Sequence, residues 1–292
     1  MISSGADTQP GQSGGAAIAD LGGCRLLRRL GGGRGAEVFE ALDLGSGETV
    51  ALKRLAVAVD ATPAQAREWR ERFLREAQVL QQLQHPDILH LRRFGVDAAQ
   101  AWMVTDLVAG GDLGRHVRAP ALLPPQQVAA LGARLAAALH HAHGRGVLHR
   151  DLKPANVLAD LPAGVLRLAD FGLARLDGAA ATRTGLNLGS PAYSAPEQLA
   201  GLGETPATDV WGLGVTLFEL LAGRLPFESD SLGQLLRQVA QAPAPDLRLL
   251  RPDLPPGLAE AVAWALQKPP QQRPTTADAL AQALRRCAAA GA

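Results

Sequence analysis

The sequence has little of several residue types, and each scarcity excludes a class of protein. Two cysteines, Cys24 and Cys287, occur among 292 residues, so neither a disulfide framework nor a cysteine-rich zinc site is available. The formal net charge is only +1, which gives no electrostatic basis for binding nucleic acid or an anionic membrane surface. The most apolar run, residues 210–223, contains Glu219 and is too short to cross a bilayer. No basic-then-apolar leader is visible, so we expect a cytoplasmic protein with no membrane span and no nucleic-acid partner.

Lysine is also scarce, with three residues against 26 arginines. Each lysine therefore marks a position where arginine would not serve. What the sequence does contain is apolar material: 47% of residues are hydrophobic and 20% are charged, which is enough for a sizeable core. The length suits one large domain or two small ones.

The pattern along the chain changes twice. Residues 1–22 are small and polar, and we expect a disordered N-terminal tail. Residues 23–108 contain five extended segments and one amphipathic helix at 64–84, typical of a small antiparallel sheet with one helix. Residues 109–289 are mainly helical. The sequence therefore predicts an α+β fold with two lobes, a small β-rich lobe followed by a larger helical lobe.

The small lobe contains three features that bear on chemistry. A glycine cluster at residues 30–38 (LGGGRGAEV) lets backbone N–H groups approach phosphate oxygens, although an ordinary hairpin turn has the same composition. The segment after it alternates like a strand, which disfavours a dinucleotide-binding βαβ unit. Lys53 lies in an apolar strand, where a solvent-directed edge lysine is the alternative. Glu76 lies on the apolar face of the helix, and a carboxylate facing the core needs a cation. We therefore expect Lys53 and Glu76 to pair.

The densest cluster of polar groups is residues 149–156 (HRDLKPAN), followed by Asp170 in the tripeptide DFG. Asp151, Lys153 and Asn156 place a carboxylate, an ammonium and an amide close together, and Asp170 adds a second carboxylate. Phosphoryl transfer needs these parts: a base near the attacking hydroxyl, a fixed cation for the phosphate and two oxygen ligands for Mg²⁺. A polar turn between strands is the alternative interpretation.

From about residue 24 to 289 the sequence resembles the eukaryotic-type (bacterial Hanks-type) serine/threonine protein kinases. The matching stretches occur in that family's order, as LGGGRGAEV, VALK, WMVTDLVAGGDL, HRDLKPAN, ADFGLAR and GSPAYSAPE. The resemblance implies the two-lobed kinase fold, with residues 23–108 as the nucleotide-binding lobe and 109–289 as the lobe that carries the catalytic loop and the peptide. It also implies ATP and Mg²⁺ (or Mn²⁺) as cofactors, protein serine and threonine hydroxyls as acceptors, and a transient homodimer for autophosphorylation in trans.

The resemblance also implies roles for individual residues. Asp151 would accept the proton of the substrate hydroxyl, with Lys153, Lys53 and Glu76 as the other catalytic residues. Asn156 and Asp170 would bind the metal. The nucleotide would contact Leu30, Gly31, Gly33, Val38, Ala51, Lys53, Thr105, Asp106, Val108, Asp112 and Leu158. Among these, Thr105 would lie at the back of the adenine pocket.

Thr182 and Thr184 are possible phosphorylation sites, because they lie between Asp170 and Glu197 in a stretch that is too small and polar to pack. A phosphate there is expected to pair with arginines, and Arg150 and Arg175 are the candidates. Inert linker residues are the alternative.

Other polar residues have structural interpretations. We expect Glu197 and Arg273 to form an ion pair that holds the segment around GSPAYSAPE to the helical lobe. The histidines His140, His141 and His143 are expected to complement the dipole at a helix C-terminus rather than to bind a metal.

Two other functions compete with an active protein kinase. A non-catalytic scaffold of the same fold normally lacks the lysine, the catalytic aspartate or the metal-binding aspartate, and all three are present here. A small-molecule phosphotransferase of the aminoglycoside or choline type shares the two-lobe layout. It lacks the GSPAYSAPE segment, which in protein kinases forms the platform for a peptide.

Overall fold

The structure is a computed structural model that describes residues 20–33, 36–56, 61–97, 100–171 and 191–289. Within these residues it has two lobes, a smaller one built on a sheet and a larger one built on helices.

The smaller lobe is a six-stranded antiparallel sheet with the strand order β1-β2-β3-β4-β6-β5. Its strands are β1 (Asp20–Leu21), β2 (Cys24–Gly33), β3 (Ala36–Asp43), β4 (Thr49–Ala56), β5 (Leu91–Val96) and β6 (Gln100–Asp106). Helix α1 (Pro63–Gln81) packs against β5 and begins with a capping box, in which Thr62 and Gln65 satisfy each other's backbone N–H groups. The helix predicted at 64–84 and the five predicted strands are present.

The alternation of side chains along β4 decides which residues reach the interior of the molecule. Val50 and Leu52 are fully buried in the core on one face of the sheet. Ala51 and Lys53 therefore point to the opposite face, where they line the cleft between the lobes.

The predicted tail boundary at residue 22 is too late, because β1 lies inside it. Asp20 pairs with Arg25 and Leu21 with Cys24 in an antiparallel register. The tight turn between them is made by Gly22 and Gly23, whose φ angles of 60° and 73° favour glycine. Residues 1–19 of the predicted tail lie outside the described residues.

The larger lobe is mainly helical, with a small three-stranded sheet at its edge. The helices are α2 (Pro125–His143), α3 (Pro196–Leu199), α4 (Pro206–Ala222), α5 (Leu232–Gln241), α6 (Leu247–Leu250), α7 (Pro256–Ala265) and α8 (Ala277–Ala289). The sheet contains β7 (Gly111–Asp112), β8 (Val157–Asp160) and β9 (Val165–Leu168) in sequence order. Short 3₁₀ turns span Leu113–His116, Pro154–Asn156 and Pro270–Gln272. No helix in the described ranges is both long and apolar enough to cross a membrane.

Helix α4 is the centre of the larger lobe. Residues 208–221 are buried without interruption, and α2, α7 and α8 pack around this helix. An amphipathic helix would expose one face, so the apolar run of this segment predicts a central position. The predicted α+β fold with a β-rich lobe and a larger helical lobe is confirmed.

Two of the contacts that hold the lobes together in the described residues are made by the backbone. The chain that follows α1 bonds to β9, since Leu168 donates its N–H to Asp87 O at 2.8 Å and accepts from Leu89 N at 2.9 Å. The second connection is residues 107–110 between β6 and β7, which we call the hinge. A Cβ atom on Gly110 would lie 1.8 Å from Ala159 O, so only glycine allows this close approach.

Candidate active site

A cleft of about 680 Å³ lies between the two lobes, a volume within the range typical of small-molecule sites. Its walls come from both lobes, and they include four apolar residues among the predicted nucleotide contacts, Leu30, Val38, Ala51 and Leu158. Leu80 and Leu83, at and just after the end of α1, close the cleft from behind. We call this cleft the apolar slot; polar groups, among them Lys53, Asp112 and Asp170, also line it.

The back and the edge of the slot are formed by β6 and the hinge. Thr105, Asp106 and Val108 all line the cleft, as predicted. The Asp106 carboxylate is not directed to a ligand, because Arg92 Nε donates to it at 2.7 Å. The backbone N–H and C=O of Val108 make no hydrogen bond with any described residue. These backbone groups are therefore available to the edge of a heterocycle.

The glycine cluster forms the end of β2 and the start of the next strand. Gly31 and Gly32 line the cleft, and Gly33 pairs with Ala36 across the hairpin. The tip, Arg34 and Gly35, lies outside the described residues. Gly32, which the sequence interpretation did not single out, has a φ of 142°, and a Cβ there would lie 2.5 Å from Ala36 O. It is the position in this cluster where the described backbone requires glycine.

Asp112 lines the cleft at the start of the larger lobe, as predicted for a residue that reaches a ribose. One of its carboxylate oxygens already accepts the N–H of Gly114 at 2.8 Å and caps the following 3₁₀ turn. Two arginines that the sequence interpretation missed, Arg28 and Arg115, also reach the cleft. Arg115 lies against Gly111, where a Cβ atom would collide with the guanidinium.

Lys53 forms its ion pair with Asp170 rather than with Glu76 in the described part of the chain. Lys53 Nζ donates to Asp170 Oδ1 at 2.7 Å, joining β4 to the segment after β9. Phe171 explains the geometry: it is buried in the core of the larger lobe with its ring 4.7 Å from that of His149. The backbone at Asp170, with a φ of 62°, then turns the carboxylate into the cleft.

Glu76 lies where the helix pattern places it. It is half-buried on α1, one turn before Leu80, which lines the cleft. The predicted pairing of Glu76 with Lys53 is therefore corrected for this conformation, because Asp170 is the carboxylate that the fold brings to the lysine.

The predicted catalytic residues of the larger lobe form one hydrogen-bonded group. Lys153 Nζ donates to Asp151 Oδ2 at 2.6 Å, and Asn156 Nδ2 donates to the same oxygen at 3.2 Å and to Asp151 O at 2.7 Å. Ala169 N donates to Asn156 O at 2.9 Å, which ties this group to the residue preceding Asp170. The structure thus brings together the four residues that the sequence grouped.

Asp209 of α4 supports the loop that carries these residues through hydrogen bonds to its backbone. Its carboxylate accepts the N–H of His149 at 2.9 Å and the N–H of Arg150 at 2.7 Å, and His143 Nε2 lies 2.7 Å from it. Asp209 is almost fully buried. The sequence interpretation missed this role, although a carboxylate inside an apolar helix signals that donors must come from elsewhere. It also corrects the interpretation of His143, whose ring binds Asp209 rather than only complementing a helix dipole.

Arg150 and His149 adopt specific states in this loop. Burial lowers the pKa of His149 and so favours the neutral ring, and its Nε2 lies 2.9 Å from Ala169 O. Arg150 has a φ of 71°, and its guanidinium Nε lies 2.7 Å from Glu204 Oε2. Its predicted phosphorylated partners, Thr182 and Thr184, and the second arginine, Arg175, lie outside the described residues.

The segment after residue 190 is anchored to the larger lobe by two buried contacts. Each oxygen of Glu197 accepts from Arg273 at 2.7 Å, which confirms the predicted ion pair. The hydroxyl of Tyr193 donates to Glu219 of α4 at 2.5 Å, and burial raises the pKa of that carboxyl. This segment therefore has a fixed position beside the catalytic loop.

Comparison with known proteins agrees with this geometry. The family model for the protein kinase domain matches residues 24–284. The chain is 42% identical over 245 residues to the serine/threonine-protein kinase PkaA of Streptomyces coelicolor. The matched residues cover 82% of this chain and 43% of that protein. It is 39% identical over 263 residues to the DNA damage-responsive serine/threonine-protein kinase RqkA of Deinococcus radiodurans, covering 88% of this chain and 38% of that one. The chain thus spans about two fifths of the length of these relatives.

Solved structures show the same architecture. The kinase domain of PknI from Mycobacterium tuberculosis superposes with a TM-score of 0.73 at 33% identity, covering 93% of this chain and 98% of that chain. A structure described as Rad53 1–466 in complex with AMP-PNP superposes with a TM-score of 0.73 at 28% identity, covering 88% of this chain and 64% of that chain.

Proposed function

The chain belongs to the protein kinase domain family, and from this premise we propose that it transfers the γ-phosphoryl group of ATP to serine and threonine hydroxyls of proteins. The observation that carries the proposal is the Lys53–Asp170 ion pair in the cleft, next to a loop on which Asp151, Lys153 and Asn156 bond to one another and which Ala169 ties to Asp170. These residues come from both lobes and supply the charges and the base that phosphoryl transfer needs.

The apolar slot is where the nucleotide would bind. Leu30, Val38, Ala51 and Leu158 would sandwich the adenine ring, whose edge would bond to the free backbone groups of Val108. Asp112 keeps one carboxylate oxygen that no described residue engages, and this oxygen would accept a ribose hydroxyl. AMP-PNP, an ATP analogue, is named with the Rad53 structure, and a similar ligand here is part of the proposal.

The residues present also fit a magnesium ion. Asn156 uses its amide nitrogen on Asp151, so its amide oxygen is left without a described partner, and Asp170 Oδ2 is likewise not engaged. Mg²⁺ prefers oxygen ligands and is usually held by one or two protein groups together with substrate phosphates. When bound, the ion would neutralise the charge that develops on the phosphates. Lys53 would hold the same phosphates as a fixed cation.

Asp151 is the proposed general base. Both Lys153 and Asn156 bond to its Oδ2, which leaves Oδ1 without a described partner and able to accept the proton of the attacking hydroxyl. Lys153 lies beside this carboxylate and would steady the transferred phosphoryl group.

The proposal also covers the class of acceptor, the assembly of the protein and its location in the cell. Two relatives are named serine/threonine-protein kinases. A lysine two residues after the proposed base, here Lys153, is typical of kinases that act on serine and threonine. We assign protein acceptors because the segment around Tyr193 is fixed beside the catalytic loop and can support a peptide. Autophosphorylation of Thr182 and Thr184 in trans, through a transient homodimer, and a cytoplasmic location where ATP is supplied belong to the same proposal.

The two competing functions are less well supported. A non-catalytic scaffold would have no need for Lys53 in an ion pair with Asp170 or for Lys153 in an ion pair with Asp151, and both pairs are present here. A small-molecule phosphotransferase would have no need for the anchored segment that contains Tyr193 and Glu197.

Two substitutions test the assignment of the carboxylates. Asp151→Asn should lower kcat by roughly 10²–10⁴ while ATP·Mg²⁺ still binds, because only the base is lost. Asp170→Asn should instead weaken nucleotide binding in a Mg²⁺-dependent manner. Incorporation of labelled phosphate into a basic protein and into an aminoglycoside, with thermal shifts on ATP·Mg²⁺ titration, separates the three functions. Transfer only to the small molecule, or nucleotide binding without any transfer, would contradict the proposal.

A further inference from the structure

Arg150, the residue before the proposed base, has a backbone conformation that the surrounding structure must maintain. Its φ of 71° lies in the left-handed region, which residues with a Cβ seldom adopt. Such conformations persist where neighbouring groups hold them. Because Asp151 follows directly, the direction of its carboxylate depends on how firmly Arg150 is held.

Three side chains hold Arg150, and each binds a different part of it. Asp209 accepts its N–H at 2.7 Å, and Gln198 Nε2 donates to its C=O at 3.0 Å. Glu204 forms an ion pair with its guanidinium, with Oε2 2.7 Å from Nε although the Nε–H is not aligned as a hydrogen bond. Gln198 Nε2 also lies 3.4 Å from Glu204 Oε1, so Arg150, Gln198 and Glu204 form a closed set of contacts.

The ion pair is shielded from solvent. The side chains of Arg150 and Glu204 are 19% and 24% exposed, and Glu204 is the carboxylate paired with this arginine among the described residues. A guanidinium largely removed from water needs an opposite charge, and the pair is worth more than an exposed one.

Glu204 is aimed at Arg150 by a rigid turn between α3 and α4. The turn is tied to Glu197 of α3, which Arg273 anchors, because Leu202 N donates to Glu197 O at 2.9 Å. Gly201 and Gly203 have φ angles of 68° and 98°, which let the chain fold back. The carboxylate therefore has a fixed position relative to the larger lobe.

We propose that Glu204 is a positioning residue for phosphoryl transfer. Its carboxylate fixes the guanidinium of Arg150, and through Arg150 it sets the direction of Asp151. This inference rests on the proposed kinase function. It adds that the described chain supplies its own anion at Arg150, so alignment of the base does not depend on a phosphate on Thr182 or Thr184.

The test compares two variants, each of which replaces one carboxylate of the larger lobe with an amide. Glu204→Gln should lower kcat by about tenfold to a hundredfold, the effect of a misplaced catalytic group, with the KM for ATP unchanged within about twofold. Glu204→Asp keeps the charge and should recover part of the rate. The matched control is Asp253→Asn, which removes the partner 2.7 Å from Arg251 and should leave kcat unchanged.

A double substitution shows whether Glu204 acts through Arg150. If it does, Glu204→Gln added to Arg150→Gln causes no further fall in kcat. Additive losses, or a kcat of Glu204→Gln equal to that of the control, would overturn the inference while the activity of the parent protein still supports the kinase function. If the parent transfers no phosphate, the proposed function itself fails. Should Glu204→Gln not fold, Gln198→Ala is the second test, and it should lower kcat at unchanged KM; an unchanged kcat would overturn the inference.

Discussion

Removing the carboxylate of Glu197 should cost the larger lobe a substantial part of its stability. Arg273 is fully buried at its side chain and Glu197 is 9% exposed, and two hydrogen bonds of 2.7 Å join them. Glu197→Gln keeps the shape but removes the charge. Breaking a buried pair from one side costs about 3–5 kcal/mol, because the remaining charge is left without compensation.

The surroundings of Arg273 place the expected loss near the lower end of that range. Its guanidinium also donates to the carbonyls of Gln267 at 2.8 Å, Ala207 at 2.9 Å and Lys268 at 2.9 Å. These acceptors remain in the variant. We therefore expect a loss of about 3 kcal/mol, equivalent to a change of roughly a hundredfold in the ratio of folded to unfolded protein.

Urea unfolding followed by tryptophan fluorescence and by far-UV circular dichroism measures this loss. Trp211 is a suitable reporter, because the guanidinium of Arg273 lies 5.0 Å from its ring centroid. The control is Asp278→Asn, which removes an exposed partner 3.8 Å from Arg285 and should cost less than about 1 kcal/mol. Adding Arg273→Met to Glu197→Gln should cost less than the sum of the two single changes. Equal midpoints for Glu197→Gln and the control would refute the reasoning.

Three further predictions concern the lysines and the threonines. Lys53→Met should abolish phosphoryl transfer and leave the circular dichroism spectrum unchanged, since the lysine is the fixed cation of the cleft; transfer at the parent's rate would contradict its role. Burial and the charge of Arg273 lower the pKa of Lys268 to about 8, so above that pH the unfolded chain binds the proton more tightly and the free energy of unfolding should rise up to about pH 10.5. Lys268→Met should flatten that rise, and parallel urea titrations at pH 7.5 and 9.5 check it. After incubation with ATP·Mg²⁺, mass spectrometry should find phosphate on Thr182 or Thr184 in the parent and none in Asp151→Asn; phosphate in that variant, or none in the parent, would contradict autophosphorylation.

The sequence predicts those parts of the fold that rest on local patterns. The apolar spacing of α1 predicts a helix at 64–84, within a few residues of its observed bounds, Pro63–Gln81. Strand β1 was missed because two residues are too few to show any alternation. Many of the residues that line the cleft were predicted, because motif and order identify them even though they come from distant parts of the chain, whereas Arg28 and Arg115 lie outside those motifs and were missed.

The sequence does not predict which charged groups meet when several partners are possible. Lys53 could pair with Glu76 or with Asp170, and the choice depends on how Phe171 packs in the larger lobe. The contact of Arg150 with Glu204 depends on the turn that Gly201 and Gly203 permit. Such pairings are set by tertiary geometry, which neither periodicity nor residue type records.

The carboxylate of Asp209 has a consequence for the order in which the protein can become functional during synthesis. Asp209 follows the loop that it supports by about 60 residues, and it reaches that loop from the central helix α4. A nascent chain released from the ribosome before α4 would contain the lysine, both aspartates and the asparagine of the cleft. Its catalytic loop would lack the group that shapes it, because domains acquire their packing as whole units. Truncated products of this chain should therefore be inert rather than unregulated.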